Sequence, residues 1–167
     1  MGASLHVLSM LSLVSIGAIF GFFYAWICST MWGLDATDPQ VAIAAMQAMN
    51  ASVRNAVFFP AFFLTPVVLG VTAVLAMRQR FGTPAIFFGG AALVYAVGGL
   101  ALTVAVNVPM NEALAEVIIP EDHAAAQEIW SSYSTTWQQW NVTRTVFSGL
   151  ALVLTGCGLV ALGRRLT

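Results

Sequence analysis

The sequence predicts an all-α membrane protein, a four-helix transmembrane bundle with short helical segments in two extracytoplasmic loops. Hydrophobic residues make up 59% of the 167 positions and charged residues only 8%. Four apolar runs, at about 5–32, 57–77, 84–108 and 142–162, each reach the roughly 20 residues that a helix needs to cross a hydrocarbon core about 30 Å thick. None of the runs alternates apolar and polar residues as a barrel strand does, and a helix in lipid pairs its backbone groups within itself. The spans use nearly the whole chain, so one transmembrane domain over 1–167 is expected, with no room for a second.

The first run lacks a basic start and an Ala-x-Ala cleavage signal and is too long for the core of a signal peptide, so it is read as a mature helix. Its Gly17-x-x-x-Gly21 spacing predicts close approach of a neighbouring helix. In the loop that follows, Asp38-Pro39 has the form of an N-cap with proline at the first helical position, opening a helix through Val41, Ala44, Ala45, Ala48 and Met49. Pro60 and Pro66 in the second run imply either a tolerated kink or carbonyls opened to a ligand. In the third run Gly89-Gly90 and Gly98-Gly99 again suggest close helix packing. Tyr24 and Tyr95 either face a cavity or hydrogen-bond to a neighbouring helix. Pro120-Glu121-Asp122 starts a second loop helix through Ile129, Trp130 and Tyr133 toward Trp137 and Trp140. With Trp and Tyr favoured at the membrane interface, both loop segments are expected to lie along it as a lid.

Charge sets the orientation. Arg78-Gln79-Arg80 and Arg164-Arg165 fall on one side, and all seven acidic residues fall in the loops 33–56 and 109–139 on the other. Positive residues favour the cytoplasmic face, so both termini are placed in the cytoplasm, in a cell inner membrane. The chain has no Lys and a net charge of -1, which argues against a nucleic-acid partner. Cys28 and Cys157 sit near opposite ends of antiparallel spans, beyond disulfide reach, and read as packed membrane thiols. No metal site is predicted: His6 and His123 lie on opposite sides, and no Cys or His spacing supplies zinc donors. A hard-cation set of Glu112, Glu116 and Asp122 is a weak alternative.

The polar residues of the outer side collect at the ends of the spans: Asn50 and Arg54 before the second, Asn107, Asn111 and Glu112 after the third, Asn141 and Arg144 entering the fourth. Trp137 and Trp140 precede Asn141. Arginines at a membrane boundary often do no more than reach for lipid phosphate. The density of amides and charges beside flat apolar rings instead describes a binding site for a planar, oxygenated ligand. Asn50...Arg54 and Asn141...Arg144 also echo one another at helical spacings that put amide and guanidinium on one face. Chance similarity in so biased a composition is the rival explanation of that echo.

Four motifs, Gly21-Phe-Phe-Tyr24-Ala-Trp26, Met46-x-x-Met49-Asn50, Asn107-Val-Pro-Met-Asn111 and Trp137-x-x-Trp140-Asn141-x-x-Arg144-Thr, resemble the anthrone oxygenase-like family of small membrane proteins, in the same order and across almost the whole chain. The resemblance implies oxidation of an anthrone to an anthraquinone without a metal or flavin, and hence no cofactor. Such a reaction needs a base, donors for an oxyanion and a dry pocket. On this reading Glu112 is the base, with His123 the alternative. Arg144 and Arg54 hold the oxyanion, and Asn50, Asn107, Asn111, Asn141, Trp137 and Trp140 bind and orient the ring. A carboxylate between two arginines would be a poorer base and would serve instead to hold them in place. Two other readings compete: a protein that binds a lipid, quinone or metabolite without changing it, and a salt-bridged structural subunit that assembles with itself or with partner membrane proteins.

Overall fold

A computed structural model describes residues 2–164; Arg165, part of the predicted basic tail, lies outside the described residues. Every element among them is helical. Helix α1 (Ala3–Ala25) runs through a π-helical turn, Trp26–Thr30, into α2 (Met31–Asp35). Then come α3 (Pro39–Ser52), α4 (Phe58–Arg78) and α5 (Gly82–Tyr95), the last extended by π-helical turns at Ala96–Ala101 and Thr103–Asn107 into α6 (Val108–Ala115). Helix α7 (His123–Gly163) completes the chain.

The predicted Asp38 cap is present, and the second loop helix, expected to start over 120–122, begins at His123 with Asp122 as its cap. Asp38 accepts from the amides of Gln40 (2.9 Å) and Val41 (3.3 Å) with Pro39 behind it, and Asp122 accepts from Ala125 at 2.8 Å. At the start of α4 the Asn55 side chain takes the amides of Val57 and Phe58, at 2.8 and 3.0 Å, donors that a helix start cannot satisfy internally.

Four continuous helices, Ser4–Asp35, Phe58–Arg78, Gly82–Ala115 and His123–Gly163, are long and apolar enough to cross a membrane, and the protein is an integral membrane helical bundle. Helix α1 packs on α4 and α7, α4 on α5, and α5 on α7, closing a ring. Leu5, Ala76, Ala85 and Leu162 share a small core at one end, and the Gly2 amide donates to Gln79 Oε1 at 3.2 Å. The start of α1, the α4–α5 turn and the end of α7 therefore lie together. The core of the bundle is Ile16, Ile19, Phe23, Phe62, Leu69, Phe88, Ala91, Tyr95 and Ala151. A separate outer core joins Met31, Ile43, Met46, Leu114, Trp130, Tyr133 and Trp137.

The structure departs from expectation at several points. The second loop segment does not lie flat along the interface. It is continuous with the fourth span, giving α7 41 residues and a length of about 60 Å, roughly twice the hydrocarbon thickness, so its outer part stands away from the bilayer. No helix approaches Gly17 or Gly21, around which there is open space, whereas a methyl group on Gly98 would overlap the Phe147 side chain. Gly89 and Gly90 meet Ala73 and Leu154 only at ordinary contact distance. Both Cys28 and Cys157 are exposed on the bundle surface, not packed. Pro60 falls in the first turn of α4, where its missing amide costs nothing. Pro66 does orphan a carbonyl, that of Phe62 four residues back, and Tyr95 Oη donates to it at 2.9 Å. Tyr95 thus repairs the helix. Tyr24 is half exposed and stacks on Phe20.

Candidate functional site

At the junction of the two cores lies a cavity of about 320 Å³, at the small end of ligand-binding pockets. Its walls are largely aromatic: Phe22, Phe23, Trp26, Phe58, Phe62 and Trp137. Of the residues predicted for a site, Asn50, Arg54, Asn111, Glu112, Trp137 and Arg144 line it. These come from the end of α3 and the turn after it, from α6, and from the middle of α7, so segments far apart in sequence converge.

Arg144 dominates the site electrostatically. It is 5% exposed, and its Nε donates to Asn141 Oδ1 at 2.9 Å, while Nη1 reaches Thr103 Oγ1 at 3.4 Å. Asn141 is itself fixed by donation from Nδ2 to the Phe23 carbonyl at 3.2 Å. The guanidinium lies over the Phe23 ring at 4.3 Å and the Trp137 ring at 5.0 Å, an arrangement that partly offsets the cost of burying the cation. No carboxylate among the described residues lies within 4.0 Å of it. A buried charge without a counter-ion is expensive, and Arg144 lines the cavity.

Asn111 supplies a second donor. Its Oδ1 accepts from Tyr133 Oη and Trp137 Nε1, each at 2.8 Å, which fixes the amide orientation and leaves the Nδ2 group free of side-chain partners. Asn50 Nδ2 donates to Tyr133 Oη at 3.4 Å, so the tyrosine links both amides.

Glu112 stands apart from this buried group. It pairs with Arg54 at 3.3 Å, both side chains at least half exposed, and forms no ion pair with Arg144. The two predicted arginines therefore do not flank one carboxylate. The Asn–Arg echo also breaks: Asn141 and Arg144 share a helical face and bond to each other, but Arg54 lies in the turn beyond α3. Asn141 supports Arg144 from behind and does not line the cavity. Asn107 is fully buried, outside the lining, with neither amide atom partnered. It belongs to a π-helical turn, whose wider winding changes which residues face inward, whereas its prediction rested on depth at the end of the third span. Trp140 is 38% exposed and outside the lining. His123, the alternative base, pairs with Asp38 at 3.8 Å and begins α7 about 20 Å of helix rise from Trp137. Glu112, Glu116 and Asp122 do not gather; among the described residues no three His, Cys, Asp or Glu side chains could hold a metal ion together.

Residues 49–154 match the family model described as anthrone oxygenase, well over half of the chain. The chain belongs to the anthrone oxygenase family. No curated protein and no solved structure matches it. The match contains every polar residue lining the cavity; the α1 wall, with Phe22, Phe23 and Trp26, precedes it.

Sequence reasoning missed Asp35 and Tyr133. Asp35 Oδ1 accepts from Trp130 Nε1 (3.0 Å) and Ser134 Oγ (2.6 Å), and Oδ2 from Gln138 Nε2 (2.9 Å), tying α2 to α7. The signal available was the i, i+4, i+8 spacing of Trp130, Ser134 and Gln138, which puts three donors on one helical face.

Proposed function

We propose that the protein is a cofactor-independent oxygenase that converts an anthrone-like, planar aromatic substrate to the corresponding quinone in the Arg144 cavity. The observation that carries this reading is the buried Arg144 guanidinium, without a carboxylate partner, at the wall of an aromatic cavity. Loss of a proton from the methylene carbon of an anthrone gives an aromatic oxyanion. Dioxygen adds at that carbon and water is then eliminated, so one oxygen atom becomes the new carbonyl and the other leaves with both methylene hydrogens as water. Arg144 and the Asn111 amide are placed to hold the oxyanion, a role whose removal typically costs about 10²- to 10³-fold in turnover. Phe23, Phe62 and Trp137 hold the rings, and Glu112 at the rim takes the proton. Termini in the cytoplasm of an inner membrane, with the cavity on the outer side, complete the proposal.

Binding without turnover has one observation in its favour: the only carboxylate in the lining is Glu112, half exposed and already paired with Arg54. The salt-bridged lock is disfavoured, because an exposed ion pair stabilises by less than about 1 kcal/mol.

Oxygen uptake and quinone formation from a hydroxyanthrone separate these readings. Wild type is expected to exceed the uncatalysed rate, and Arg144→Ala to fall toward it while keeping its helical circular dichroism and its oligomeric behaviour in detergent. Wild-type rates at background would overturn the oxygenase reading and leave the binding one.

A further inference from the structure

The ring of spans is closed along most of its length, and one of its four seams ends short of the cavity. Helices α4 and α5 pack together, and α4 still touches the Ala96–Ala101 turn, but beyond it no Cα of α4 comes within 8 Å of Thr103–Asn107 or of α6. Helix α4 begins at Phe58, and the helix that continues α5 rises past that start, so Thr103–Asn107 and α6 have no α4 neighbour. The cavity occupies the gap. Phe59 and Phe63 line it from α4, and Val104 and Val108 from the opposite side. Phe59, Phe63 and Val104 are 41%, 45% and 49% exposed, and all three belong to the membrane-crossing helices. On a membrane-crossing helix, uncovered apolar side chains of this kind are expected to face the acyl chains.

We propose that this gap is a lateral window through which an apolar, planar ligand enters the cavity from the bilayer. The proposal rests on the reading that the cavity receives such a ligand, and it names the route. The other approach, from the outer aqueous side, passes the Arg54–Glu112 pair, whose charges are hydrated. An apolar polycyclic molecule partitions into hydrocarbon, and at the window it meets Phe and Val side chains, with Asn111 one turn beyond Val108 on α6 and Arg144 on α7. The polar groups then select for an oxygen-bearing edge after entry.

The route is testable without any assay of oxidation. Thr103 lines the cavity, and its Oγ1 is 3.4 Å from the Arg144 guanidinium, so a thiol placed there has a cation beside it that favours the reactive thiolate. Thr103→Cys is made with Cys28→Ser and Cys157→Ser, and the full chain is placed in phosphatidylcholine vesicles. It is treated with N-phenylmaleimide, a flat apolar reagent, or with a permanently charged thiosulfonate confined to water. Val104→Trp plugs the window, with Val108→Trp as a second plug should the first fail to fold, and Glu112→Trp plugs the aqueous rim. The expected result is rapid labelling by N-phenylmaleimide, slowed about tenfold or more by a window plug and unchanged by the rim plug, with little labelling by the charged reagent. Slowing by the rim plug alone, labelling at equal rates by both reagents, or no labelling by N-phenylmaleimide would overturn it. A failed oxidation assay leaves this result intact, and a failed labelling result leaves the oxidation assay intact.

Discussion

Tyr95 shows how one residue in a bilayer answers for another. Pro66 removes the amide that would have bonded the Phe62 carbonyl, and the Tyr95 hydroxyl replaces it from α5. Tyr95→Phe should therefore destabilise the protein by about 1–3 kcal/mol, the cost of a buried acceptor left unpaired. In a Pro66→Ala background, where the backbone amide returns, the same change should cost markedly less. Unfolding in graded denaturing detergent measures both, and equal costs in the two backgrounds would show that the hydroxyl serves some other purpose. The sequence offered both kink and ligand-facing readings for the proline, and both cavity and helix-bond readings for the tyrosine. Choosing between them needed their relative depth in two antiparallel helices, which residue order does not encode. Depth was legible for Asn50, Arg54, Asn111, Glu112, Trp137 and Arg144 because span ends mark it; side-chain direction at Asn107 and Trp140 was not.

Among the elements, the contact between the Ala96–Ala101 turn and α7 depends on a residue with no side chain. A Cβ on Gly98 would overlap Phe147 at its Cβ and ring carbons, whereas one on Gly17 would meet nothing within 4 Å. A ring can rotate away from an intruding methyl, but the root of its side chain cannot. Gly98→Ala is expected to cost about 1–3 kcal/mol as an overpacking change, and Gly17→Ala to be neutral or stabilising, since alanine is the better helix former. Comparing the two by detergent-induced unfolding decides whether glycine spacing matters at one seam only; equal effects would count against the packing described. The apolar runs made all four spans readable, as did the Asp38 cap for α3. The three π-helical turns left no such mark, because a widened turn keeps the hydrophobicity of its neighbours while changing which residues face inward.

On the scale of the whole molecule, α2 is fastened to the outer half of α7 by Asp35 and its three donors. Gln47, donating to the carbonyls of Leu114 and Val117 at 2.8 and 3.0 Å, fastens α3 across the same region. Asp35→Ala leaves Trp130 and Ser134 without an acceptor, and it is expected to speed proteolysis in the segments 33–38 and 116–122 severalfold while the spans stay protected, because local opening follows lost contacts. Limited proteolysis in vesicles reads this directly, and an unchanged cleavage rate would place the fastening elsewhere. The sequence announced an outer cap but not its attachment, since Asp35 carries no motif until α2 and α7 are side by side.

The unbroken course of α7 bears on how the molecule can be handled from outside. A helix of this length is a stiff rod, and the residues gripping Asp35 and holding Arg144 are fixed points spread over about 20 Å of it, from Trp130 to Arg144. A tilt imposed at Trp130 cannot be absorbed by a hinge before it reaches Arg144. The water-exposed tip of the rod is thus a handle on a pocket buried in the membrane, and an antibody fragment that clamps it will change how tightly the pocket grips its occupant.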